Sequence, residues 1–131
     1  MDDDELLAAA RDALEEAYVP YSEYPVGAAV ETADGDVYVG TNVENANFSN
    51  SLHAEEIAVG SAVRDGHREF SKVVVTSEAR DAVTPCGMCR QTLAEFCDDD
   101  VPVLCDTGDG FERYTIAELI PDTITPEMLG H

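Results

Sequence analysis

Two short stretches, His53-Ala54-Glu55 and, 33 residues after His53, Pro85-Cys86-Gly87-Met88-Cys89-Arg90-Gln91, constrain the fold most, because their chemistry requires them to meet. One imidazole and two thiolates fill three corners of a zinc tetrahedron. Three protein ligands leave the fourth corner for water, which marks a catalytic rather than a structural zinc site. Glu55 is then a spare carboxylate. Residues two apart on a helix point in divergent directions, so Glu55 is placed beside that water and not among the ligands of the same metal as His53. There it can take the water's proton and pass it on, which is general acid and base work by one group.

Local signals put both stretches at helix starts. Leu7, Ala10, Leu14, Ala17 and Tyr18 recur at helical spacing, predicting a helix from Asp4 to Tyr18 that Pro20 ends, with acids crowding its first turn. Strands follow at about Val26–Thr32 and Asp36–Thr41 around an Asp34-Gly35 turn, and Asn42 to Asn47 is rich in turn-forming amides. Ser49, Asn50 and Ser51 offer N-caps for a helix from about His53 to Asp65, closed by Gly66, which puts His53 in its first turn. Lys72-Val73-Val74-Val75-Thr76 runs apolar without alternation, as expected of a central parallel strand buried on both faces. A loop from Ser77 to Pro85 leads into a helix from Gly87 to Cys97, so Cys86 and Cys89 also sit at a helix N-terminus, where the dipole favours thiolate. Val101–Cys105 and Phe111–Tyr114 read as strands around Thr107-Gly108-Asp109-Gly110. Thr115 with Glu118 forms a capping box for a short helix, and Thr125-Pro126 opens a last turn. The order α-β-β-α-β-α-β-β-α describes an α/β fold, one sheet with helices on its faces, in a single domain over residues 1–131.

Charge excludes several classes of partner. Twenty-eight acidic residues against seven basic ones give −21, with Lys72 the only lysine, and a field of that sign repels polynucleotides and anionic membranes. A solvated acidic surface of this kind suits high salt, where the screening length is short. The acidic start, Met1-Asp2-Asp3-Asp4-Glu5, is the opposite of a secretory signal, and no stretch is apolar enough to span a bilayer, so a soluble cytoplasmic protein is expected. Four cysteines without an export signal suit metal or redox use better than a disulfide framework. A dithiol redox motif explains neither His53 nor Glu55. Cys97 and Cys105 read as small buried apolar residues, and His67 and His131 as surface residues. A structural zinc module remains an alternative, with Cys97, Cys105 or His67 closing the tetrahedron and Glu55 left without a role.

H-x-E followed by P-C-x-x-C is the signature of zinc-dependent nucleobase deaminases. Beyond it, Pro20-Tyr21-Ser22, Val26-Gly27-Ala28-Ala29 and Asn42-Val43-Glu44-Asn45 extend the likeness over nearly the whole chain, which resembles the cytidine deaminases of the short, homotetrameric class. The resemblance implies a three-layer α-β-α sandwich around a mixed five-stranded sheet, one Zn²⁺ per subunit held by His53, Cys86 and Cys89, and Glu55 as catalytic proton carrier. It further implies that Asn42 and Glu44 hold the ribose 3′-hydroxyl, that the Ala54 backbone meets the pyrimidine carbonyl, that Tyr24 packs on the base and that the Thr84 carbonyl faces the leaving amine. The reaction implied is hydrolysis of cytidine and deoxycytidine to uridine and deoxyuridine with release of ammonia, in pyrimidine salvage. A free base or a nucleoside antibiotic is the alternative substrate.

Four positions depart from the short-class pattern. Tyr24 stands where phenylalanine is common, and Ile124 near an aromatic position that closes a neighbour's site. The class usually has cysteine at position 53 and arginine at 56, where this chain has His53 and Glu56. Three thiolates on Zn²⁺ leave one negative charge for an arginine to offset, whereas one neutral imidazole and two thiolates leave none.

Overall fold

Side chains alternate across the three central strands, and that alternation sets the layers. The structure is a computed structural model that describes residues 1–78 and 83–131; the loop expected from Ser77 to Pro85 lies partly outside the described residues. Strands β1 (Gly27–Thr32), β2 (Val37–Thr41), β3 (Phe70–Thr76), β4 (Pro102–Asp106) and β5 (Phe111–Thr115) form one mixed sheet in the order β2-β1-β3-β4-β5. Ala29, Val74 and Leu104 point to one face, against Leu6, Leu7 and Ala10 of helix α1 (Asp3–Ala13). Ala28, Val30, Val73, Val75, Val103 and Cys105 point to the other, under α2 (Ala54–Arg64), α3 (Gly87–Phe96) and the short α4 (Ile116–Leu119). The result is the three-layer sandwich implied by the resemblance.

β3 is central and buried, as its apolar run implies. It runs parallel to β4 and antiparallel to β1, so only one of its two neighbours is parallel. The β3-α3-β4 crossover supplies that pair, while β1 with β2 and β4 with β5 are hairpins. The β1–β2 connection is four residues, Ala33 to Asp36, rather than a two-residue turn; Gly35 adopts the left-handed conformation (φ +92°) in it.

Several boundaries differ from the sequence reading, each for a tertiary reason. α1 stops at Ala13 and tightens into a 3₁₀ turn over Leu14–Glu16, because Tyr18 leaves the helix to pair with Val43. None of Ser49, Asn50 and Ser51 caps α2. Leu52 exchanges backbone hydrogen bonds with Val43, which keeps the chain extended up to His53, and His53 is the N-cap itself. Glu56 closes that cap by accepting from the His53 amide at 3.1 Å. β3 begins two residues earlier than its apolar core suggested, at Phe70. The Thr115–Glu118 capping box is present as expected.

α2 lies unusually close to the sheet. Ala54, Ala58 and Ala62 face inward at four-residue spacing, and the backbone of β2 rises under them at Gly40. A Cβ at Gly40 would stand 2.3 Å from the Ala54 carbonyl oxygen and 2.7 Å from the Ala58 nitrogen. The sheet therefore sets the height of the first turn of α2 directly.

Candidate active site

Two helix starts converge above the end of β3. His53 caps α2 and Cys86 caps α3, with Cys89 in the first turn of α3. His53 Nδ1 lies 3.2 Å from Cys89 Sγ and 3.3 Å from Cys86 Sγ, and the three ligand atoms fall within 4.8 Å of one another. A tetrahedral zinc with the usual Zn–N and Zn–S lengths needs nitrogen–sulfur separations of about 3.5 Å, so a modest outward relaxation admits the ion. One imidazole and two thiols are also the donor set that suits zinc. Burial, then the neighbouring Glu55 and Cys86, push the Cys89 thiol well up. A divalent cation inverts that balance and deprotonates a coordinating thiol.

Glu55 is 4% exposed, two residues past the cap of α2, and burial raises its carboxyl above the usual range. Among the described residues, only it and Asp106 are buried acids in this acidic chain. A buried carboxyl beside a metal-ligand cluster is a candidate proton carrier rather than a solvated surface group.

The cleft at this point has a volume of ≈ 230 Å³. Tyr24, Asn42, Ala54 and Thr84 line it together with His53, Glu55 and Cys86, while Val26, Val75 and Val83 supply apolar wall. The Asn42 amide locks the entrance to β1: its Oδ1 accepts from the Val26 amide at 2.9 Å and its Nδ2 donates to the Tyr24 carbonyl at 2.8 Å. Glu44 is not in that lining. It borders an adjoining depression with Tyr21, Ser22, Phe48 and Ser51, where its Oε1 accepts from the Tyr21 and Ser22 amides at 3.0 and 3.1 Å and its Oε2 from the Ser22 hydroxyl. These bonds hold its carboxyl below the usual range.

The alternative of a closed structural site fails on placement. Among the described residues, His53, Cys86 and Cys89 form the one group able to hold a metal. Cys97 and Cys105 are buried in the core, where desolvation pushes both thiols up to about 12. His67 follows the opposite end of α2. It is not a plain surface residue as expected: its side chain packs between Asp34 and Asp36, with Nδ1 and Nε2 at 3.7 and 3.2 Å from their carboxylates, against the ring of Tyr38. Glu56, where the short class has arginine, accepts a hydrogen bond from the cap amide, which an arginine cannot do. The valine walls carried no signal as site residues; Val75 read only as core, and Val83 precedes the motif without feature.

Residues 1–105 match the family model of the cytidine and deoxycytidylate deaminase zinc-binding region. The chain is 42% identical over 132 residues to a cytidine deaminase of Sporosarcina psychrophila, covering 100% of this chain and 97% of that protein. It is 39% identical over 131 residues to one of Halalkalibacterium halodurans, covering 99% of each. Its fold superposes on the crystal structure of cytidine deaminase from Burkholderia pseudomallei with a TM-score of 0.89 at 36% identity, over 95% of this chain and 100% of that one. Sequence, fold and ligand geometry agree, and the chain belongs to the zinc-dependent cytidine and deoxycytidylate deaminase family.

Proposed function

We propose that this enzyme hydrolyses cytidine and deoxycytidine to the uracil nucleosides and ammonia, with residues 1–131 acting as one catalytic domain. The observation that carries the reading is the buried Glu55 carboxylate beside the His53-Cys86-Cys89 cluster, in one cleft of ≈ 230 Å³. His53, Cys86 and Cys89 would hold zinc, which when bound would supply Lewis acidity and lower the pKa of a water toward neutrality. Glu55 takes a proton from the attacking water and delivers it to the ring nitrogen beside C4. It then carries the second proton of that water to the exocyclic amine. The C4–oxygen bond forms, the C4–nitrogen bond breaks and ammonia departs, so Glu55 ends in the state in which it began.

Tyr24 packs on the base, the Ala54 backbone meets the pyrimidine carbonyl and the Thr84 carbonyl faces the leaving amine. Asn42 and Glu44, two apart on the segment leaving β2, hold the 3′-hydroxyl of the sugar. Three bonds already occupy Glu44, and a carboxylate has about four lone-pair sites, which leaves one for that hydroxyl. Those sugar contacts favour a nucleoside over a free base.

Exposed apolar residues support association between copies of the chain, for which the proposed assembly is a homotetramer. Tyr21, Phe48 and Leu52 are half or more exposed or nearly so, as are Met88 beside the ligand cysteines and Ile124. The reduced thiols that the site requires support a cytoplasmic location, and return of cytidine and deoxycytidine to the uracil nucleosides is a reaction of pyrimidine salvage. No helix among the described residues is long and apolar enough to cross a membrane.

The ultraviolet spectra of cytidine, deoxycytidine and cytosine, each incubated with zinc-loaded protein, test the reading. Conversion of both nucleosides and not of the base is expected. Absence of conversion with zinc bound would contradict it. Light scattering reads the assembly, with a mass of four chains expected.

A further inference from the structure

Arg90 does something in this fold that neither ligation nor proton transfer requires. It lies one turn beyond Cys86 on α3, where its amide donates to the Cys86 carbonyl at 2.9 Å. Side chains on a helix lean toward its N-terminus, so the guanidinium reaches back behind the wall formed by Thr84, Pro85 and Cys86. Nε donates to the Pro85 carbonyl at 2.7 Å and Nη2 approaches the Thr84 hydroxyl at 3.3 Å. Nη1 points elsewhere and donates to the Leu119 carbonyl at 2.7 Å.

Both carbonyls need such a donor. Pro85 is buried and has no N–H, so its carbonyl is the one backbone handle on that residue. Leu119 is the last residue of the four-residue helix α4, whose terminal carbonyls lack intrahelical partners. Among the described residues no carboxylate pairs with Arg90, despite the excess of acid. The full charge therefore serves carbonyl and hydroxyl acceptors, which strengthens each bond. The adjacent Gln91 secures the anchor: its Nε2 donates to the Ile124 carbonyl at 3.1 Å, and its Oε1 accepts from the Thr123 hydroxyl at 2.7 Å.

We propose that Arg90 is a positioning residue that pins the Pro85–Cys86 peptide to the end of α4, and so fixes the direction of the Cys86 sulfur and the Thr84 wall of the cleft. The proposal rests on the deaminase reading of that cleft. Arg90 touches neither metal nor substrate; it acts through Cys86 and Thr84. Its fork spans acceptors in two directions, which a lysine ammonium on a flexible stem cannot reproduce.

Arg90→Lys and Arg90→Gln, prepared as zinc and as cobalt holoenzymes, test this. Each variant is expected to retain one metal per chain and a nearly unchanged KM for cytidine, while kcat falls by about 10–100-fold. The thiolate-to-cobalt absorption should shift and weaken, chelator should extract the metal faster, and lysine should rescue no better than glutamine. A parental kcat in Arg90→Lys would overturn the proposal, since charge alone would then suffice. A reduced kcat with a parental cobalt spectrum and parental metal release would overturn it too, because the ligand wall would not have moved. If Arg90→Gln fails to fold, Arg90→Lys, which keeps the stem and the charge, decides. If the parent itself does not convert cytidine, the deaminase reading fails, while the cobalt spectra still decide whether Arg90 positions Cys86.

Discussion

Glu44 and Gly40 show how single residues shape the site without lining its cleft. Glu44→Ala removes the acceptor for the Tyr21 and Ser22 amides together with the proposed sugar contact. KM for cytidine should rise at least tenfold with a smaller change in kcat, and steady-state kinetics check this; an unchanged KM would remove Glu44 from the sugar site. Gly40→Ala acts differently. Its new methyl group collides with backbone of α2, which cannot rotate away as a side chain would, so the first turn carrying Glu55 must shift. Thermal unfolding should show a loss of about 1–3 kcal/mol, accompanied by loss of turnover beyond what the unfolded fraction explains. At this scale the sequence was legible where chemistry is concentrated: an imidazole, two thiols and a carboxylate at the right spacing have few other uses together. Arg90 and Gly40 were not legible as site residues, because their work depends on distances to Leu119 and to Ala54 that no local pattern encodes.

Elements were read well where one period dominates, and badly where backbone pairing overrides it. α2 and α3 begin within a residue of expectation, at Ala54 and Gly87, although the serines and asparagine read as caps for α2 do not cap it. α1 is overextended in the sequence reading because its apolar spacing continues to Tyr18, although that backbone bonds to the segment 42–44 instead. The attachment of α1 to the sheet carries its own prediction. Arg11 donates to both oxygens of Asp106 on β4, at 2.8 and 2.7 Å, and with Thr76 and the Gly108 amide it holds the Asp106 carboxyl down at about 2. A carboxyl whose pKa is lower folded than unfolded contributes stability above its unfolded value near 4, and that contribution fades as pH falls toward 2. Arg11→Ala should therefore cost about 1–2 kcal/mol near neutral pH, allowing for the exposure of Arg11, and the gap between parent and variant should close near pH 2. Urea unfolding across that range reads it; a gap independent of pH would mean that packing, not the ion pair, holds α1 in place.

For the whole molecule, charge and core answer separate questions. The α/β class was legible from the order of elements, since hairpins, one uninterrupted valine run and intervening helices leave few arrangements. The mixed direction of β3's neighbours was less so, because burial on both faces looks the same for a parallel and an antiparallel partner. The net charge of −21 lies almost entirely at the surface, with Glu55 and Asp106 the buried acids among the described residues. Self-repulsion of that surface should make stability rise with ionic strength, with a melting temperature several degrees higher at about 2 M salt than at about 0.05 M, where the screening length is far longer. A flat or falling curve would exclude salt adaptation.

The central claim is that Glu55 moves protons and does not hold the metal. Zinc content and cytidine turnover measured on the same preparation of Glu55→Gln test it most directly. Full zinc occupancy with turnover reduced by about 10²–10⁴-fold is the predicted result; retained turnover, or loss of zinc along with activity, would contradict it.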